Sequence, residues 1–302
     1  MNTSTILLNG LYATAFTSLL VLSGCNGGGG NTTDTGSLSL NVTDAPIDGA
    51  ANVYVQFSGV EIKRADESFE RFDFDTPKQI DLLNLQGSHS EPLLENVSLP
   101  AGQYSNLRLM VDTEGDLDSY IVLNDGSSHE LTIPSGAQTG LKLVHGFTVS
   151  AGGLTDFTID FDLRKSITKT GNTNNFKLRP TLRITDNTET GHISGNVDVS
   201  TLCPADPLTP PAYSVYVFAG SDISPDDIGS PTAVLTTSLL DDSFNYGIGF
   251  LNAGNYTLAV TCIADADDID LDDDAFGNDT GEGFVATANV TVVSGETTVV
   301  DF

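Results

Sequence analysis

Apolar and polar residues alternate with a period of two along most of this chain. Ser37-Leu38-Ser39-Leu40-Asn41-Val42 alternates in this way, as a half-buried strand does. Residues 53–62 repeat the pattern, with Val53, Val55 and Phe57 in register and a shift at Gly59 that marks a bulge. Asp44-Ala45-Pro46 and Asp48-Gly49-Ala50 supply turn chemistry between these two strands. Further strands are predicted at 69–74, 80–85, 104–111, 119–123, 130–133, 141–149, 154–163 and 177–184, with a short helical turn at 92–96. Asp125-Gly126, Pro134-Ser135-Gly136 and Gly152-Gly153 mark turns. After residue 190, seven strands follow at 192–199, 213–218, 233–237, 244–248, 254–262, 284–293 and 296–302, the count of a small sandwich. Short strands split by such turns predict an all-β protein of two antiparallel β-sandwich domains, at 36–185 and 191–302.

Ahead of the strands lies a different pattern. Residues 11–22 form an apolar run followed by Leu22-Ser23-Gly24-Cys25 and then Asn26-Gly27-Gly28-Gly29-Gly30. The run is too short and interrupted for a spanning helix of about 20 apolar residues. It suits the h-region of a signal peptide with small residues at the cleavage site. Leu22-Ser23-Gly24-Cys25 resembles a lipobox, which implies a signal peptide at 1–24, lipidation of Cys25 and a flexible tether at 25–35. Residues 2–10 depart from the pattern in having no Lys or Arg. Asn26, rather than Asp, implies an outer-membrane lipoprotein, with the membrane as its partner through Cys25.

Charge sharpens the domain division. The chain has 12 basic and 41 acidic residues, a net charge of -29. Every basic residue lies between Lys63 and Arg183, whereas residues 184–302 hold 20 acidic residues and no basic one. Such a field argues against nucleic acid as a partner. If Cys25 carries lipid, Cys203 and Cys262 remain, and in an exported protein they are expected to pair as a disulfide.

A family resemblance enters on separated motifs. Gly36-Ser37-Leu38-Ser39-Leu40-Asn41-Val42-Thr43-Asp44-Ala45-Pro46, Val60-Glu61-Ile62, Ile80-Asp81-Leu82-Leu83-Asn84-Leu85, residues 99–109 and Phe161-Asp162-Leu163-Arg164-Lys165-Ser166 resemble the domain of unknown function 4382 (DUF4382) family. The resemblance implies an extracytoplasmic β-rich domain and carries no catalytic residues. Ile193-Ser194-Gly195-Asn196-Val197 and residues 251–258 resemble the prealbumin-like, carboxypeptidase-regulatory-like sandwich, which implies a spacer or stalk. Leu99-Pro100-Ala101-Gly102-Gln103-Tyr104 echoes 251–256; both read as a glycine turn before a Tyr that packs on the core.

Candidate chemistry is sparse. Residues 265–282 hold nine carboxylates and no counter-charge. Asp265, Asp267, Asp268, Asp270, Asp272 and Asp274 could ligate calcium, which takes six to eight hard oxygens. The EF-hand pattern is not met, because Asp273 stands where Gly is required. The segment has two readings, a solvated acidic loop and a calcium site. Ser166-Ile167-Thr168-Lys169-Thr170-Gly171 contains Ser-x-x-Lys and Lys-Thr-Gly, overlapping just after a strand, which is not their arrangement in serine enzymes. His89, His129, His145 and His192 show no metal-ligand spacing. Asp160 and Asp162 share one strand face, which could form a glycosidase pair or a metal site but reads as a wet face offset by Arg164 and Lys165, with Arg179 and Arg183 also available to offset them.

The expected function is non-enzymatic: recognition or adhesion at the envelope, with a glycan or protein ligand and calcium as its one candidate cofactor. The alternatives are a structural spacer and a glycan or peptide hydrolase.

Overall fold

The computed structural model describes residues 34–302 apart from 46, 48, 113–116, 135–138, 144–145, 171–174, 204–211, 229–233, 240, 242 and 268–282. The predicted signal peptide at 1–24 and Cys25 lie outside the described residues, as do His145, Asp268, Asp270, Asp272 and Asp274.

In chain order the first domain contains β1 (Thr35–Ala45), β2 (Ala50–Arg64), β3 (Phe69–Asp81), β4 (Glu91–Pro100), β5 (Gly102–Val111), β6 (Tyr120–Leu123), β7 (Ser128–Thr132), β8 (Leu141–Leu143) and β9 (Phe147–Val149). It continues with β10 (Leu154–Asp162), the one-turn helix α1 (Leu163–Ser166), β11 (Ile167–Lys169), β12 (Phe176–Leu178) and β13 (Leu182–Asp186). The second contains β14 (Thr190–Asn196), α2 (Val199–Leu202), β15 (Ser214–Ala219), β16 (Val234–Leu239), β17 (Asn245–Asn252), β18 (Gly254–Thr261), β19 (Phe284–Val292) and β20 (Thr297–Val299).

Among the described residues these strands make four sheets. In the first domain the order β13-β10-β1-β4 packs over a nine-stranded sheet, β11-β12-β7-β6-β2-β5-β8 with β3 on β2 and β9 on β5. Leu38, Leu40 and Val42 of β1 and Val53, Val55 and Phe57 of β2 are all fully buried in the core between them. Phe57 meets Phe161 edge-on at 5.9 Å, and Phe147 meets Phe157 at 5.4 Å, tying one sheet to the other. Burying each such side chain contributes about 1.5–3 kcal/mol. In the second domain β17-β14-β20 faces β16-β15-β18-β19 across a smaller core of Ile193, Val215, Val217, Leu258 and Val260.

The all-β sandwich class is as expected; β16-β15-β18-β19 is wholly antiparallel, and each of the other three sheets includes one parallel pair. β1 runs parallel to β10, β12 to β7, and β14 to β20. Period-two patterning reports which face is buried and is silent on strand direction, so these pairings were not readable. The predicted helical turn at 92–96 is instead strand β4, at the edge of its sheet. There Pro92 is tolerated, and of two register irregularities against β1 the one between Leu94 and Val97 accommodates Asn96 at φ 50°. The predicted strand at 80–85 ends at Asp81 and becomes a 3₁₀ turn, Leu82–Leu85. The Asp81 carboxylate holds that exit by accepting from the Val53 N–H and from Asn52 and Asn84. The predicted strand at 177–184 divides between two sheets, β12 and β13, at Arg179-Pro180.

The two echoing turns fold alike. Tyr104 donates to the Pro100 carbonyl and Tyr256 to the Asn252 carbonyl, both at 2.7 Å. Only the first turn demands glycine conformationally: Gly102 has φ +146°, and a Cβ there would lie 2.9 Å from the Arg64 guanidinium.

Cys203 and Cys262 form a disulfide across 59 residues, with Cα atoms 5.7 Å apart. Closing a loop of that length stabilises by about 4 kcal/mol in the chain-entropy description.

Candidate functional site

The two domains are fused along a polar but buried seam. β10 places Phe157, Ile159 and Phe161 in the first core and turns Asp160 to the opposite face. That face is not wet, as alternation suggested: Thr43, Thr158, Asp160 and Thr185 are all buried there. Arg183 of β13 donates to Asp160 at 2.6 Å and to the Phe250 carbonyl of the second domain at 3.1 Å. The expected offset of Asp160 by Arg183 is therefore present, and the same guanidinium also hooks the neighbouring domain. Asp162 caps α1 through the Lys165 N–H and pairs with the Lys165 ammonium at 3.3 Å. Arg164 reaches the Ala264 carbonyl and lies 5.2 Å over the Tyr216 ring. Gly249 makes room for the first domain, since a Cβ there would stand 1.9 Å from the Gly87 carbonyl oxygen. Phe250 also donates its N–H to His192 Nδ1 at 3.3 Å and meets that ring edge-on. Burial holds the His192 imidazole below its ordinary pKa.

A cleft of about 480 Å³ opens beside this seam. One wall is β9 with Ser150, a second is the end of β13 with the turn at 187–189, and Asn252 of the second domain closes it. The apolar floor is Phe147, Phe157, Leu154 and Ile184; Leu154 is 61% exposed. Thr148, Thr155, Thr185 and Thr188 add hydroxyls, and Asp186 and Glu189 add two carboxylates. Asp186 Oδ1 is held by the Thr188 N–H at 2.9 Å and its hydroxyl at 2.6 Å. The named lining combines an apolar surface with hydroxyls and carboxylates, groups that can hydrogen-bond a ligand and favour a basic one. No sequence motif marked the cleft. Its lining comes from three separate stretches, at 146–157, at 184–189 and at Asn252; the pairing of β13 with β10 brings the first two together, and the second domain adds the third.

The predicted acidic site is described only at its first members. Asp265 is exposed in a 3₁₀ turn. Asp267 is buried, and its oxygens accept from the Tyr216 hydroxyl and the Ile228 N–H. Among the described residues, no three His, Cys, Asp or Glu side chains are placed to hold a metal ion. Ser127 meets His129 Nε2 at 2.9 Å, but its hydroxyl also donates to Asp125 at 2.5 Å. The serine thus stands between acid and imidazole, whereas a serine-hydrolase triad needs the imidazole in the middle.

Two motifs of the first domain meet in space. Asp44 ends β1 opposite Phe161, just ahead of Asp162 and α1. Its side chain is 5% exposed, and among the described residues neither oxygen meets a hydrogen-bond donor in bonding geometry. Burial, then the neighbouring Asp160 and Asp162, push the Asp44 carboxyl well above the usual carboxylate range, against a weaker pull from the Leu163 N–H.

No curated protein matches the chain. Among solved structures it is similar to the Bacillus anthracis TIE protein, at 11% identity and TM-score 0.20 over 88% of this chain and 33% of that one, so it spans about a third of that protein's length. It is also similar to GBS52, the minor pilin of Streptococcus agalactiae, at 10% identity and TM-score 0.21 over 88% of this chain and 94% of that one. A streptococcal ancillary pilin stands at 13% identity and TM-score 0.20, over 88% and 67%. The family profile described as Domain of unknown function (DUF4382) matches residues 35–180. The first β-domain of this chain, with its Thr43-Asp44-Ala45-Pro46 and Phe161-Asp162-Leu163-Arg164 motifs meeting at the ends of β1 and β10, is a member of the DUF4382 family.

Proposed function

We propose that this chain is a non-enzymatic, lipid-anchored protein of the outer membrane that recognises or adheres to a ligand at the cell envelope. The observation that carries the reading is the cleft beside the seam, closed by Asn252 of the second domain, which presents an apolar surface, hydroxyls and two carboxylates to a ligand. The Leu22-Ser23-Gly24-Cys25 sequence supports the anchor, and the Cys203–Cys262 disulfide suits an oxidising compartment. The test is twofold. Cys25→Ala should move the protein from the membrane to the soluble fraction. Leu154→Asp, at an exposed position in the cleft, should abolish retention of the soluble Cys25→Ala form on isolated envelopes while leaving Tm unchanged. Unchanged retention would sink the reading.

A structural spacer is the second reading, favoured by the seam, where Arg183, Arg164 and Gly249 lock the domains. It predicts that cleft substitutions alter nothing. Calcium at the 265–274 carboxylates remains part of the first reading. Asp267 would have to give up its Tyr216 and Ile228 bonds to join such a site, so any ion would rest mainly on its neighbours.

A further inference from the structure

The cleft is walled by a free strand edge. Hydrogen bonds from the Asn187 N–H to the Asp156 carbonyl and from the Asp162 N–H to the Thr181 carbonyl fix the phase of the β10–β13 ladder. Thr185 and Arg183 therefore point their backbone groups at β10, while Leu182, Ile184 and Asp186 point theirs away. β13 pairs with no other strand among the described residues. The Asp186 carbonyl is taken by the Glu189 N–H, which leaves the Ile184 N–H and C=O and the Asp186 N–H without backbone partners there. Across the cleft the Thr148 carbonyl receives only a long bond, 3.5 Å, from the Thr155 hydroxyl. Unpaired edges of this kind are templates for another strand.

The side chains select among ligands. Phe147 and Phe157 are 5% and 6% exposed, with Phe147 stacked on Tyr104, so no aromatic face is offered to a sugar ring. Leu154, 61% exposed, and the half-buried Ile184 offer instead an apolar surface that alternate side chains of an extended peptide could cover. Asp186 and Glu189 have no salt-bridge partner among the described residues.

We propose that the cleft binds an extended polypeptide segment of a partner protein, which adds as a strand to the free edge of β13 and sets a basic side chain over Asp186 and Glu189. This deepens the recognition reading and rests on it.

The test uses the full-length chain in detergent with isotope-labelled isoleucine amides. It is titrated with acetyl-Val-Thr-Val-Thr-Lys-amide, with the counterpart ending in Glu, with a version carrying Pro at the central position, and with maltotriose. The Lys peptide should shift the Ile184 amide saturably and bind more tightly than the Glu peptide by roughly tenfold at low salt. The Pro version should not bind. Glu189→Lys, which leaves Asp186 and one added cation at the cleft, should remove the preference for the Lys peptide. Ile184→Pro should abolish binding while preserving the fold, because the lost N–H points away from β10. No saturable shift with any peptide, a shift with maltotriose alone, or unchanged peptide affinity in Ile184→Pro and Glu189→Lys would each overturn the proposal. If Leu154→Asp abolishes envelope retention but no peptide binds, the recognition reading stands and the ligand class is wrong.

Discussion

Asp44→Asn is the most informative single substitution in the first domain. Asp44 shares the core-facing side of β1 with Leu40 and Val42, and among the described residues its carboxyl meets no donor in bonding geometry. Its pKa is raised, so below the unfolded value of about 3.9 both states are protonated and the group is neutral in its effect. Above that value the unfolded chain releases the proton and the folded chain retains it. Stability therefore falls as pH rises, by about 1.4 kcal/mol per pH unit, until the folded value is passed. Asn keeps the shape and cannot ionise. Its own unsatisfied amide shifts the absolute stability, so the pH dependence is the readout. The variant should gain on the native chain at that slope, about 1.4 kcal/mol per pH unit, from pH 4 until the folded value is passed. At about 2–4 °C per kcal/mol, each pH unit is then roughly 3–6 °C in Tm. Urea unfolding at several pH values gives the free energies directly. If the two curves run parallel from pH 4 to pH 8, Asp44 is ionised and partnered, and the argument from burial is wrong.

Other consequences are independent of Asp44. Arg183→Ala strands the buried Asp160 carboxylate and releases the Phe250 carbonyl, so it should cost about 3 kcal/mol, and adding Asp160→Asn should restore part of that in a double-mutant cycle. Removing the disulfide with Cys203→Ser and Cys262→Ser should cost about 4 kcal/mol, read as a drop in the denaturant midpoint at unchanged slope. His192, held below its ordinary pKa by burial, contributes stability that is present above about pH 6.5 and lost as pH falls; His192→Gln should flatten that acid limb. Millimolar calcium should raise Tm by several degrees if the acidic segment binds it, an effect that Asp270→Asn with Asp272→Asn removes and magnesium does not reproduce.

What could be read from the residues alone followed from local physics. Alternation exposed the strands of both domains, because a half-buried strand must alternate whatever its neighbours are. The step from mixed charge to wholly acidic composition near residue 185 fell where β13 ends and β14 begins a new sheet. Cys203 and Cys262 could be paired because no other cysteine remained beside Cys25. Direction and partnership were not legible. Nothing in Ser37-Leu38-Ser39-Leu40 says that β1 will run parallel to a strand more than 100 residues later, or that Asp160 will lie in a seam rather than in water. Alternation counts buried faces, and a polar face covered by a second domain looks the same as one covered by solvent. The cleft belongs wholly to this second kind of information. Its free edge exists because β13 finds β10 on one side and no strand on the other among the described residues, and that is decided by how the sheets stack.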